Sequence, residues 1–384
     1  MRRKKLYAAF FLSLTGTLAL LFQCRKPYEP VVLIKGDNYL VVDGAINTAN
    51  GGITTILLSR TRNLYDTVLT RPEDGATISI QSAAGANFPL TATGNQGAYS
   101  SAPLNLSVNT QYKLIINTAD GKKYESDLVK PKAAPAIDSV TWNQDEKGVN
   151  LFVNTHDPTG ATQFYRWQFI ETWEYQSQLQ TPWGYRNGQV YALDFSDLAS
   201  ICYTTSYSTD VLIANTLSLS EDRVAAQPIG FFRQDDSTLA HRASFLVRQF
   251  ALTAPEYFYW QTIQKNSQKL GTLFDLQPSQ LEGNIHCISN PAEPVVGYLS
   301  AGTVQEQRIF IDHLQLRNWI NFKGNYACST RAVDRDPNNF TTISMPDDSY
   351  APWYFISGGP LMVAKKVCLD CRLSGGTNQK PSFW

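Results

Sequence analysis

Five cysteines follow Cys24 along the chain: Cys202, Cys287, Cys328, Cys368 and Cys371. Five thiols allow at most two disulfides and leave one sulfur unpaired within the chain. Cys368 and Cys371 form a Cys-x-x-Cys pair, a spacing that suits a redox couple, half of a zinc site or a structural staple. A redox couple belongs at a helix start in a βαβ setting, where the thiolate is stabilised. Here the pair precedes a glycine-bearing tail, Gly375-Gly376. A structural zinc site needs a second pair at similar spacing, and the sequence holds none. The staple is therefore the favoured reading, with one of the two sulfurs expected to bond Cys328 and pin the tail to the body.

Tyr165, Trp167, Phe169, Glu171, Trp173 and Tyr175 fall on alternate positions of one predicted strand. Period two places them on a single face. The plain reading is the core side of a sheet. The sharper one is an aromatic platform for a glycan or peptide, built on Trp167, Glu171, Trp173 and Tyr175, with Trp183 nearby in sequence. Glu171 interrupts the stripe, and an unpaired buried carboxylate is costly. Either an arginine such as Arg166 or Arg248 pairs with it, or the stripe opens to solvent there.

Asp334, Asp336 and Asn338 occupy the first three ligand positions of a calcium loop. Asn339 stands where that pattern needs glycine, Met345 where it needs a bidentate glutamate, and Pro337 stiffens the segment. A solvated turn is expected, with weak calcium binding as the alternative. None of His156, His241, His286 and His313 has a zinc-site spacing, and neither a nucleophile elbow nor a phosphate loop is present. No cofactor and no enzymatic activity are expected. A hydrolase acting on glycans or peptides stays open only because two suitably spaced carboxylates can hide among 33 acidic residues.

The N-terminus carries an address. Arg2, Arg3, Lys4 and Lys5 precede an apolar run from Leu6 to Phe22, interrupted only by Ser13, Thr15, Gly16 and Thr17. Leu21-Phe22-Gln23-Cys24 then looks like a bacterial lipobox, although Phe22 and Gln23 stand where small residues are usual. Residues 1–23 are accordingly expected to be a lipoprotein signal peptide. Cys24 would receive the lipid, and residues 24–36, with Pro27 and Pro30, would be the tether. Several acyl chains together hold a bilayer stably. The four basic residues leave with the leader, so a chain with 33 basic and 33 acidic side chains becomes mildly acidic. That balance speaks against nucleic acid as a partner, and 12% aromatic content speaks against disorder.

The elements that must position these residues read as mainly β. Candidate strands are 39–43, 53–59, 76–81, 111–117 and 123–129, with Asp120-Gly121 as a hairpin turn that favours positive φ. Short strands separated by turn signals suggest an immunoglobulin-like β-sandwich over residues 37–134. Lys130 to Pro135 marks a boundary. Beyond it, residues 135–384 hold all eight tryptophans and read as a larger β-rich domain with a helical insertion and a cysteine-containing tail. Strands are expected at 149–154, 163–175, 210–214, 244–252 and 307–311. Thr253 and Glu256 form a capping box, with Pro255 in the first turn, at the start of a helix running to about Lys269.

Several stretches together resemble a family of envelope lipoproteins of the Bacteroidota catalogued as a domain of unknown function. They include Cys24-Arg25-Lys26-Pro27-Tyr28-Glu29-Pro30, Tyr165-Arg166-Trp167, Glu171-Thr172-Trp173-Glu174, Val247-Arg248-Gln249, Gly271-Thr272-Leu273-Phe274-Asp275 and Val295-Val296-Gly297-Tyr298. Cys368-Leu369-Asp370-Cys371-Arg372 and the closing Lys380-Pro381-Ser382-Phe383-Trp384 complete the set. Members are often encoded beside TonB-dependent receptors. The resemblance implies an outer-membrane lipoprotein, an accessory or substrate-binding partner of such a receptor in nutrient capture. The alternative is a structural or adhesive envelope protein without a small ligand. Arg25-Lys26 stands where surface-displayed lipoproteins often carry acidic residues, so both faces of the membrane stay open.

Overall fold

The computed structural model describes residues 38–62, 71–94, 96–194, 197–268, 282–319, 328–334 and 343–384. The leader, Cys24, the tether, Asp336 and Asn338 lie outside them. The protein is mainly β. Its first seven strands are β1 (Leu40–Asn47), β2 (Thr55–Arg60), β3 (Thr77–Ser82), β4 (Asn87–Ala92), β5 (Ala98–Ser101), β6 (Tyr112–Asn117) and β7 (Lys123–Ser126). Alternate residues point inward, as a half-buried sheet requires. Leu40, Val42 and Ile46, Ile56 and Leu58, Ile78 and Ile80, and Leu114 and Ile116 meet in one core.

The chain then builds β8 (Ile137–Gln144), β9 (Gly148–His156), β10 (Phe164–Gln176), β11 (Trp183–Arg186), β12 (Gln189–Ala192), β13 (Ile201–Tyr207), β14 (Leu212–Asn215), β15 (Arg223–Arg233) and β16 (Arg242–Ala251). Helix α1 (Ala254–Gln268) follows, then β17 (Ile285–Cys287), β18 (Ser300–Gly302), β19 (Val304–Asp312), β20 (Thr330–Val333), β21 (Tyr350–Phe355) and β22 (Leu361–Lys365). A five-stranded sheet runs β13-β10-β16-β19 with β14 also on β10, and it faces the three-stranded sheet β15-β9-β8. Between them lie Val149, Leu151 and Val153 from β9, Tyr165, Trp167 and Phe169 from β10, and Phe245 and Val247 from β16. One buried polar group crosses this core. Gln249 accepts from Trp167 Nε1 at 2.8 Å and donates to Thr155 Oγ1 at 2.9 Å and to the Pro135 carbonyl at 2.8 Å.

Dividing the chain once, at residues 134 and 135, does not describe the strand pairing. β17 pairs with β7, and β18 pairs in parallel with β1, so both belong to the first, nine-stranded sheet, of order β17-β7-β6-β3-β4-β5-β2-β1-β18. The returning segment is held by side chains too. Glu293 accepts from the Tyr124 hydroxyl and from Lys122 Nζ, each at 2.7 Å. Only one residue separates β18 from β19 in the second unit, so the chain crosses between units here as well as at 130–135. The two crossings lie side by side. Lys132 N donates to the Ala301 carbonyl at 2.9 Å, Thr303 N donates to the Lys132 carbonyl at 3.1 Å, and Ala134 N donates to Thr303 Oγ1 at 3.1 Å.

A third cluster joins the β11–β12 hairpin to the β20-β22-β21 sheet through Trp183, Val190, Ile343, Leu361 and Val363. Disulfides join Cys202 to Cys371 and Cys328 to Cys368, while Cys287 is free and buried in the first core. The tail lies on the outward face of the five-stranded sheet. Trp384 meets Tyr203 and Phe310 edge-on at 5.1 and 5.8 Å.

The double crossing makes one glycine critical. A Cβ on Gly302 would lie 2.1 Å from the Lys132 carbonyl oxygen, a clash that only main-chain movement can relieve. Gly302→Ala is expected to lower stability by about 1–3 kcal/mol, read as a fall in the urea midpoint of the full chain.

Candidate functional site

The five-stranded sheet has two unlike faces. Tyr165, Trp167 and Phe169 turn into the core, so Arg166, Gln168 and Ile170 turn outward by parity. Register carries the outward face across neighbouring strands. Arg166 pairs with Phe250, Gln168 with Arg248, and Arg248 in turn with Glu306. This face looks across a cleft at β1, β2 and β18 of the first sheet. The cleft holds about 630 Å³, and its walls include Asp43, Leu57, Arg166, Phe250, Trp260 and Ser300.

Arg166 is the central charge. Its guanidinium lies 3.9 Å from the ring centre of Trp260 and 5.0 Å from that of Phe250. Trp260 is presented by α1, which begins where expected, with Glu256 N donating to the Thr253 hydroxyl at 3.4 Å. Protein packs densely around Arg166, yet it keeps some accessible surface as part of the cleft wall. Burial pulls its pKa down, and the carboxylates of Glu256 and Asp43 partly offset that pull. The group stays charged at any ordinary pH. Cation–π contact on two rings offsets part of the desolvation cost, about 2 kcal/mol where water is excluded.

Glu256 is 3% exposed. Burial pushes its carboxyl pKa up to about 7, although Arg166, the Ser300 hydroxyl and the Thr253 N–H all favour the charged form. The Trp260 indole N–H is buried near this carboxylate without closing a well-formed hydrogen bond. Arg248 forms an ion pair with Glu306 at 2.9 Å. Asp43 is exposed on the opposing wall.

The residues of the proposed aromatic platform do not converge. Trp167 is fully buried, with its indole N–H spent on Gln249; it is a core residue and has no face to offer a ligand. Trp173 packs against the same core. The Tyr175 hydroxyl donates to the Cys371 carbonyl beneath the tail. Trp183 belongs to the third cluster, edge-on to Phe355 at 5.0 Å. Glu171 is half-buried, and burial together with Asp236 raises its pKa. Neither Arg166 nor Arg248 pairs with it, because both lie on the opposite face of the sheet. Asp334 directly follows β20, and the other two residues of the calcium pattern lie outside the described residues. Among the described residues, no three His, Cys, Asp or Glu gather to hold a metal, and no helix is long and apolar enough to cross a membrane.

Sequence reasoning did not single out Trp260, Phe250 or Glu256 for a site, and of its two alternatives for Glu171, pairing with Arg166 or Arg248 is not what the structure shows. The signal was present in the parity of Phe164 to Ile170. That parity sends the aromatic odd positions into the core and leaves Arg166 on the other face.

A family model described as Domain of unknown function (DUF4249) matches residues 25–308. No curated protein matches the chain. Among solved structures, the chain is similar to a DUF4785 family protein from Legionella pneumophila at 12% identity, over 54% of this chain and 51% of that one, with a TM-score of 0.20. It thus spans about half the length of that protein. It is also similar to a chain from a structure of manganese lipoxygenase of Gaeumannomyces graminis with part of zonadhesin of Komagataella pastoris. That likeness is 9% identical over 56% of this chain and 89% of that one, with a TM-score of 0.15. Likenesses at such TM-scores carry no argument.

Glu256 generates a pH prediction. Its folded pKa of about 7 lies above the ordinary 4.5, so the folded chain holds this proton where the unfolded chain has released it. The stability this gives is full below pH 4.5 and is lost as pH rises through 7. Glu256→Gln, which keeps the neutral form, is expected to be more stable than the natural chain at pH 8 by about 1–3 kcal/mol. The gap should close at pH 4.5, as measured by urea unfolding at both values.

Proposed function

We propose that this chain, which belongs to the family described as Domain of unknown function (DUF4249), is a lipid-anchored capture protein of the cell envelope. It works without catalysis beside a TonB-dependent receptor of the outer membrane, in an envelope of the Bacteroidota kind. Acyl chains on Cys24 hold it to the bilayer, and residues 25–36 are the tether. The first unit is a spacer of immunoglobulin-like build. The runs β7-β6-β3 and β4-β5-β2-β1 curl about one core, which supports that reading. The ligand is taken between this unit and the second.

The observation that carries the proposal is the cleft and the charge within it. A cavity of about 630 Å³ is in the range of small-ligand sites, which are mostly apolar with a few placed polar groups. Arg166 lies deep in its wall, stacked on two rings and hydrogen-bonded to no described residue. Its guanidinium keeps accessible surface on the cleft, so the donors that reach no described acceptor face the space a ligand would fill.

The anchor and the partner are tested together. Full-length protein carrying a C-terminal affinity tag is recovered from outer membranes solubilised in mild detergent. The natural chain should partition with detergent and bring a TonB-dependent receptor with it, while Cys24→Ala should remain in the aqueous fraction. Recovery of the lipidated chain with no receptor overturns the partnership.

A further inference from the structure

Besides Arg248, 5.8 Å from the ring centre of Phe250, the outward face of the five-stranded sheet seats arginines on aromatic rings in three places. Arg308 lies 3.6 Å from the ring centre of Phe383, and Arg242 lies 4.5 Å from that of Phe310 and 5.5 Å from that of Trp384. At these two, Phe383 and Trp384 of the chain's own tail supply the cover. Arg308 also donates from Nη1 to the Ser244 hydroxyl at 2.6 Å. The third is Arg166 on Trp260 and Phe250. There α1 supplies one ring through Trp260, and the side left open is the cleft.

A guanidinium presents five N–H donors in a rigid fork. Those of Arg166 reach no described acceptor, and no described carboxylate comes within ion-pair distance. Glu256 and Asp43 act on it only through space. A planar fork with its donors unspent, set on a stack that fixes its plane, matches a carboxylate taken bidentately.

We infer that the cleft binds a small monoanion, a carboxylate carried on an apolar body, with Arg166 as its anchor. The inference rests on the capture reading above and adds the class of ligand. The surrounding charges select one negative charge rather than two. Arg248 is already spent on Glu306 at 2.9 Å, Asp43 faces the site from the far wall, and Glu256 lies behind it. A dianionic phosphate would meet one available cation and up to two carboxylates. The apolar body fits the other wall, where Ile53 and Leu57 line the cleft while 52% and 45% exposed. A volume of about 630 Å³ accommodates a di- or tripeptide ending in a free carboxyl, or a disaccharide bearing a uronic acid. The two share the carboxylate chemistry and differ in the body behind it.

The test is calorimetric titration of the lipidated full-length protein in detergent with paired probes. One pair is N-acetyl-Ala-Ala-Phe as the free acid and as the amide; the other is a glucuronate-containing disaccharide and its neutral glucose counterpart. Within at least one pair, the acid should bind at least tenfold more tightly than its neutral partner, and the pair that responds identifies the source. Arg166→Gln should lose that preference. Arg166 is packed in the wall and its removal can disturb folding, so Asp43→Asn provides a second arm at an exposed position. Removing that repulsion should tighten binding of the acid two- to fivefold relative to its neutral partner. Equal binding of acid and neutral forms, or no binding of either acid, overturns the carboxylate assignment. Recovery of a receptor in the membrane experiment would still stand in that case, so failure of this inference is separable from failure of the capture reading.

Discussion

The cleft depends on main-chain hydrogen bonds between two crossings of the chain. At Lys132 and at Ala301 to Thr303 the polypeptide passes from one β unit to the other, and the two passages bond to each other as strands would. A single Pro-bearing linker would leave the units free to swing. Two bonded crossings, one of them continuous with strands in both sheets, fix the wall bearing Asp43 opposite the wall bearing Arg166. The glycine at 302 is what lets the backbones approach so closely. The site is thus preorganised by backbone geometry, and little ordering cost is left for a ligand to meet.

In the second unit the arginines lie on one side of the sheet. The inward face is mostly aromatic and aliphatic, with the satisfied amide of Gln249 at one end and the half-buried Glu171 at the other. The outward face alternates arginines with rings. The tail lies over one end of it, α1 and the first unit flank the other, and the uncovered remainder is the cleft. The disulfides Cys202–Cys371 and Cys328–Cys368 hold the base of the tail in place, which keeps that end of the face closed.

Much of this arrangement was legible in the sequence wherever a strand obeys period two. β1, β2, β3, β6, β10 and β16 follow expected segments because alternation and turn residues mark them. β4 was not legible because Leu90 is its one fully buried residue. β15 was hidden by Pro228 and Gly230, which an edge strand with bulges tolerates. β17 and β18 are three residues each, too short to show a period, and β18 pairs with a strand some 255 residues away. That pairing builds the site, so the site could not be read without it. The helix cap was legible, but not that Glu256 would also serve as the charge behind Arg166. The cysteine arithmetic set a ceiling of two bridges and pointed to a bond from Cys328 to one of the Cys-x-x-Cys pair, while the partner of Cys202 came from the fold.

Arg166 thus holds a ligand-ready guanidinium in a preformed cleft. The most direct measurement is the Nε–H resonance of Arg166 in the nitrogen-15 labelled full-length protein, assigned by its loss in Arg166→Lys, during titration with sodium acetate at constant ionic strength. A saturable shift is expected at Arg166, with Arg248, already paired to Glu306, scarcely moving. A shift at Arg166 that never saturates, or one no larger than that of exposed arginines, would contradict it.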